Sequence, residues 1–314
     1  MKTFNLLLLL VLLSLLITAC SGSDGNSGPG KGELSLSITD APVRHADAVV
    51  VYFESAIINS SEDGRVEVDV VDPDTMTPGR SVDLLQLTGD RTIELLSETF
   101  TEGSINWIRL MVDFDPQKTY IEIDGTRYPL RCVSCEKNGL RLVSSFEILP
   151  DMTNAYTLDF DLQKSITDPQ SGIDYILRPT IRVVRSEVAG SIRGTVDATL
   201  ISDLGGAEGC SVYVYDGNDA VTDDIYMPDG MPVPDTHNNP VMAATVALNP
   251  MNELYEYHAA FLPAGNYTIA LTCDAELDDP MLDDDNIGFY GAVNKTVLSG
   301  QTTVHDFIPL APAP

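Results

Sequence analysis

Cys132 and Cys135 form a C-x-x-C pair, the spacing used by thiol redox centres and by one half of a zinc site. The zinc reading needs a second C-x-x-C or a close His pair, and the sequence has neither. The redox reading needs a βαβ setting whose helix N-terminus lowers the thiol pKa, and no such pattern surrounds these residues. A local structural disulfide is therefore the expectation. His45, His237, His258 and His305 are scattered, and none falls in H-E-x-x-H or beside a G-x-S-x-G nucleophile turn. Asp159 and Asp161 flank Phe160, so a strand there would set two carboxylates on one face, as glycosidases require. Asp113 and Asp115 repeat the pattern around Phe114, and a solvated strand face accounts for both pairs.

The densest group of potential ligands is residues 274–286 (DAELDDPMLDDDN), with seven carboxylates in thirteen residues. It is not an EF-hand loop. Counted from Asp284, Gly288 takes the fifth position and Lys295 the twelfth, where a bidentate Glu belongs. The plain expectation is a solvated acidic loop. The alternative is a weak structural calcium site of another kind, with Asp278, Asp279, Asp283, Asp284 and Asp285 supplying oxygens. No other cofactor is expected. Gly25, Gly30 and Lys31 match G-x-x-x-x-G-K, but Gly32 stands where a P-loop needs Ser or Thr, and no strand precedes it, so nucleotide binding is rejected.

At the amino end, Lys2 precedes the apolar runs 6–13 and 15–17, which lead into Leu16-Ile17-Thr18-Ala19-Cys20. The run is short for a membrane span and has the length of a signal peptide. The five residues ending at Cys20 resemble the lipobox of bacterial lipoprotein signals. That resemblance implies cleavage before Cys20, acyl chains on its thiol and amine, and anchorage in a bacterial cell envelope. Ser21 rather than Asp after the cysteine implies the outer membrane. Residues 21–32 contain nothing that could bury apolar surface and read as a Gly/Ser tether spanning roughly 20 Å.

Removing residues 1–19 leaves 295, enough for about two domains. The net charge of −29 argues against nucleic acid or anionic lipid as a partner. Residues 190–314 hold 2 basic and 19 acidic side chains, a net −17 in the last two-fifths of the chain.

The elements that must carry these groups have a period of two. Leu34, Leu36 and Ile38 alternate with Ser35, Ser37 and Thr39. Val66, Val68 and Val70 alternate with acids, and Ile108, Leu110, Val112 and Phe114 with Arg109, Met111 and Asp113. Residues 48–53 (AVVVYF) are apolar on both faces, as in a central strand. Asp124-Gly125 between 120–124 and 126–130 predicts a type I′ hairpin, and Asn138-Gly139 is a second such signal. Short helices are expected over 82–87 and 92–96. Pro179 within 175–184 places that strand at an edge or bulge.

The stretches ITDAP (38–42), VDLLQL (82–87), WIRLMVD (107–113), LDFDLQKSI (158–166) and YILRPTIRVV (175–184) resemble, in order, a bacterial lipoprotein domain family of unknown function with a T-D-A-P opening. The resemblance covers about residues 32–187 and implies a β-rich exported domain with no catalytic residues. Further on, IRGTV (192–196) and LPAGNYTIAL (262–271) resemble carboxypeptidase regulatory-like, transthyretin-like sandwich modules, with 222–240 and 275–286 as long loops. Tyr267, Ile269, Leu271 and Cys273 share one strand face, as do Cys210, Val212 and Val214, so both cysteines point inward. Of the three pairings of four cysteines, Cys132–Cys135 with Cys210–Cys273 keeps each bond within one domain.

The sequence thus predicts an all-β chain: a signal peptide (1–19), a lipidated Cys20 and linker (20–32), and two β-sandwich domains (33–187 and 190–312). Its expected role is a non-enzymatic structural, ligand-binding or adhesion module. Its expected partners are the membrane through the lipid, and a glycan or envelope protein. A polysaccharide-active hydrolase using paired carboxylates is the second reading.

Overall fold

A computed structural model describes residues 28–41, 46–87, 89–167, 174–207, 209–228, 233–234, 236–283 and 286–309. The expected signal peptide, Cys20, most of the expected linker, the turn at Pro42, His45, Asp284 and Asp285 lie outside the described residues. Residues from Lys31 onward form one compact unit.

The architecture is all-β. The first half contains β1 (Lys31–Ala41), β2 (Ala48–Ser60), β3 (Gly64–Asp69), β4 (Arg80–Asp83), β5 (Ile93–Thr101), β6 (Gly103–Val112), β7 (Tyr120–Ile123), β8 (Thr126–Arg131), β9 (Leu140–Leu142), β10 (Phe146–Ile148) and β11 (Thr153–Asp161). One helical turn, α1 (Leu162–Ser165), then leads to β12 (Ile166–Thr167), β13 (Tyr175–Leu177) and β14 (Ile181–Arg185). The second half contains β15 (Gly190–Val196), α2 (Ala198–Asp203), β16 (Ser211–Asp216), β17 (Met242–Thr245), β18 (Ala247–Asn249), β19 (Leu254–Leu262), β20 (Gly265–Thr272), β21 (Tyr290–Val297) and β22 (Thr302–Val304).

These strands make four sheets. In the first half, the order β14-β11-β1-β5 forms one sheet, and the path β10-β6-β2-β7-β8-β13-β12 forms the other, with β3, β4 and β9 alongside. Leu34, Leu36 and Ile38 from β1, Val49, Val51 and Phe53 from β2, and Ile108 and Leu110 from β6 are fully buried in their shared core. In the second half the sheets are β18-β19-β15-β22 and β17-β16-β20-β21, closing over Ile192, Val212, Val214, Ile269 and Leu271. The hydroxyl of Tyr267 donates to the carbonyl of Pro263 at 2.8 Å, so the P-x-G-x-Y spacing fastens the β19–β20 turn to its own strand.

The hairpin at Asp124-Gly125 forms as expected: φ is 49° and 70° at the two residues, and Ile123 pairs with Thr126 across the turn. Other expectations need correction. Residues 92–96 are not helical but lie at the start of β5, where Leu36 pairs with Leu96 while Ser37 pairs with Glu94. The extra residue, Leu95, makes a bulge and turns inward beside Leu96, breaking the alternation. Only 84–87 of the other predicted helix forms, as a single 3-10 turn. Asn138-Gly139 does not join two paired strands. Gly139 (φ 70°) ends a helical turn by donating to the Cys135 carbonyl at 2.8 Å, and a Cβ there would meet the Leu110 carbonyl at 2.7 Å. Pro179 marks the break between β13 and β14, which belong to different sheets.

Candidate functional site

Two long stretches between strands, 217–241 and 273–289, hold 12 of the chain's 47 acidic residues, and described residues of both meet over β16. Val212 and Val214 of that strand face the sheet-to-sheet core, which turns Tyr213 and Tyr215 to the opposite face. There the long segments bury them under Ile225, Ala275 and Phe289, whose ring centroid lies 5.6 Å from that of Tyr213. Among the described residues, both segments therefore contribute packed positions to this face.

The Tyr215 hydroxyl donates to the carbonyl of Asp223 at 2.6 Å and accepts from its backbone N–H at 3.1 Å. Burial pushes the Tyr215 phenol well above its ordinary pKa, so it stays a donor. Those bonds fix Asp223 and Asp224. Asn239 clasps the backbone of Tyr226 on both its N–H (2.8 Å) and carbonyl (2.9 Å), which returns the chain beside them. His237 then lies buried against the Tyr226 ring, with centroids 5.4 Å apart. Its Nε2 is 3.0 Å from the Asp224 carbonyl, which can only accept, so Nε2 carries the proton. Nδ1 faces three carboxylates: Asp223 Oδ2 at 3.2 Å, Asp283 Oδ1 at 3.9 Å and Asp224 Oδ1 at 4.0 Å. Ligand atoms of Asp223, Asp224 and His237 all lie within 4.8 Å of one another.

The acidic run predicted as a calcium site is divided in its contacts. Asp278 is buried and accepts from the Tyr213 hydroxyl and from the Ile225 N–H at 3.1 Å. Asp279 is exposed and accepts from the Met281 N–H at 2.9 Å, inside its own turn. Asp283 faces His237. Asp284 and Asp285 lie outside the described residues, as does Cys20. Sequence reasoning passed over Asp223, Asp224 and His237, because their proximity arises from packing on Tyr215 and follows no fixed spacing.

The cysteines pair as Cys132–Cys135, in the turn after β8, and Cys210–Cys273, joining the start of β16 to the end of β20.

Asp159 and Asp161 are not on a solvated face, and here the sequence expectation is overturned. They are only 4% and 8% exposed. Leu158, Phe160 and Leu162 point into the first core, and on the carboxylate side the cations that hold the two acids reach Met242 and Pro240 of the second half. Asp159 Oδ2 is held by Arg182, whose guanidinium also touches Met242 Sδ of β17 at 3.9 Å. Asp161 accepts from the Lys164 N–H at 3.1 Å, capping α1, and pairs with Lys164 Nζ at 2.8 Å. Lys164 Nζ also donates to the Pro240 carbonyl at 2.7 Å, and Gln163 Nε2 to the Tyr213 hydroxyl at 3.4 Å. Beside these ties a groove of about 610 Å³ runs between the halves, lined by Asp40 and Asp159 from one and by Arg193, Met242, Glu256 and His258 from the other.

The fold and this site define an all-β, multi-sheet protein. A family model described as a domain of unknown function (DUF4382) matches residues 31–179, somewhat under half of the chain. No curated protein matches. Among solved structures, GBS52, the minor pilin of Streptococcus agalactiae, is similar at 11% identity and a TM-score of 0.20, over 89% of this chain and 98% of that one. The fimbrial anchor protein Mfa2 from Porphyromonas gingivalis is similar at 9% identity and a TM-score of 0.18, over 82% and 83%. Likenesses this distant carry no argument about function.

Proposed function

We propose that the chain is a lipid-anchored, non-catalytic binding or adhesion module of a bacterial cell envelope, held through Cys20 on the outer membrane, with its two β-sandwich halves acting as one rigid body. One observation carries the reading of the folded part: the carboxylates a hydrolase would need, Asp159 and Asp161, are each bound by an internal cation, Arg182 and Lys164. The same residues reach across to Met242 and Pro240 of the second half, so the acidic pair serves as a fastening. The groove beside it, with carboxylates, Arg193 and His258 on its walls, offers the mixed donors and acceptors that a glycan or an envelope protein segment requires. The lipobox-like stretch supports the anchor, since two or more acyl chains hold a protein stably where one is marginal.

The test joins location and chemistry. Wild-type chain should partition into detergent with the membrane fraction, and Cys20→Ala should be released or left as uncleaved precursor. The purified protein should retain saccharides from an envelope glycan panel, or an envelope protein, without releasing reducing ends. Release of reducing ends that Asp159→Asn abolishes would establish the hydrolase instead, and identical partitioning of the two forms would remove the anchor.

A further inference from the structure

We infer that His237, Asp223, Asp224 and Asp283 form a binding site for a divalent first-row transition cation of the zinc type, which fastens segment 217–241 to segment 273–289. This goes beyond the envelope reading and does not depend on it. The buried imidazole of His237, not the abundance of acid, defines the site. Nε2–H is committed to the Asp224 carbonyl, the outer bond that metal-binding histidines use to fix their tautomer. In the neutral ring, Nδ1 then carries a lone pair, and what it faces are three carboxylate groups, themselves lone-pair donors. Asp223 Oδ2 also accepts from the Asn238 N–H at 3.2 Å, and the lone pairs gathered on Nδ1 and the carboxylates form the kind of donor set that a cation seated between them draws together.

The spacing fits such a charge. A tetrahedral zinc ion bound to N and O at about 2.0–2.2 Å sets its ligands roughly 3.3–3.6 Å apart. The distances from Nδ1 to the three oxygens, 3.2, 3.9 and 4.0 Å, bracket that range. Imidazole also chooses the ion, because nitrogen suits zinc-like cations while calcium takes oxygen. The ion assigned here is therefore different from the calcium expected from the acidic run, and so is the donor set: Asp283 is the one described member of that run that contributes. Asp283 is half-exposed, which leaves a path from solvent to the buried donors.

The untagged, detergent-solubilised full chain, stripped with chelator, is titrated calorimetrically with Zn2+, Mn2+ and Ca2+ in turn. One equivalent of Zn2+ should bind, more tightly than Ca2+, and should raise the melting midpoint by mass action. Asp283→Asn, a change at the half-exposed donor, should weaken Zn2+ by about tenfold or more. His237→Gln should abolish the preference for Zn2+ over Ca2+. Absence of Zn2+ binding by the wild type would overturn the site. So would Zn2+ binding unchanged in Asp283→Asn, and so would tighter binding of Ca2+ than of Zn2+.

Discussion

Lys164→Met isolates the contact that locks the two halves. The lysine and Asp161 side chains are 7% and 11% exposed, and Nζ is divided between the Asp161 carboxylate at 2.8 Å and the Pro240 carbonyl at 2.7 Å. Methionine keeps the apolar stem and removes the charge, leaving a carboxylate uncompensated where water scarcely reaches. Breaking one side of a buried pair costs about 3–5 kcal/mol, mostly the desolvation of the charge left behind. Asp161→Asn should cost a similar amount by stranding the ammonium, while its amide oxygen still caps α1. The double variant, with no charge to strand, should lose only about 1–2 kcal/mol, mainly the donor to Pro240. Urea denaturation of wild type, both singles and the double closes the cycle, with an expected coupling of roughly 3 kcal/mol or more. Two single losses below about 1 kcal/mol that simply add would refute the fastening.

Removing Cys210–Cys273 should be much more damaging than removing Cys132–Cys135. The separations are 63 and 3 residues, so the chain-entropy model assigns about 4 and about 1.6 kcal/mol to them, and thermal melts of the two double Cys→Ala variants should rank in that order. Burial lowers the pKa of His258, partly offset by Asp90, and burial likewise lowers that of His305. Each binds fewer protons folded than unfolded, so their contribution to stability is complete above the ordinary value of 6.5 and is lost as the pH falls from there through the lowered folded value. Melting midpoints should drop between pH 7.5 and 5.5, and a slope unchanged in His258→Asn/His305→Asn would contradict this.

Strand positions were legible wherever one face met a core, because alternation is set by burial alone: β1, β6 and β20 carry it openly. Asp124-Gly125 was legible because only a few residue types accept positive φ twice in succession. The failures have local causes. Leu95 sits in a bulge, and a pair of adjacent inward leucines imitates helical spacing. Asp159 and Asp161 satisfy the pattern of a wet face, and nothing near them in sequence reveals that Pro240 and Met242 cover it. Tyr213 and Tyr215 were the available hint that the second sheet has something on its outer side. With that face read as covered, the described residues packed on it, and His237 beside them, become the place to look for a site.

Any tension carried by the chain ahead of Lys31 enters the folded body at the first residue of β1. That strand is not at an edge: it is bonded in parallel to β11 from Glu33 to Ala41 and antiparallel to β5 on its other side. A load along its axis therefore acts on both ladders in shear, and many bonds must yield together before the strand slides. A peripheral strand peeled sideways would give way one bond at a time. The position of β1 makes the first half a mechanical stop, whose lifetime under flow or traction is set by its forced-unfolding rate rather than by equilibrium stability.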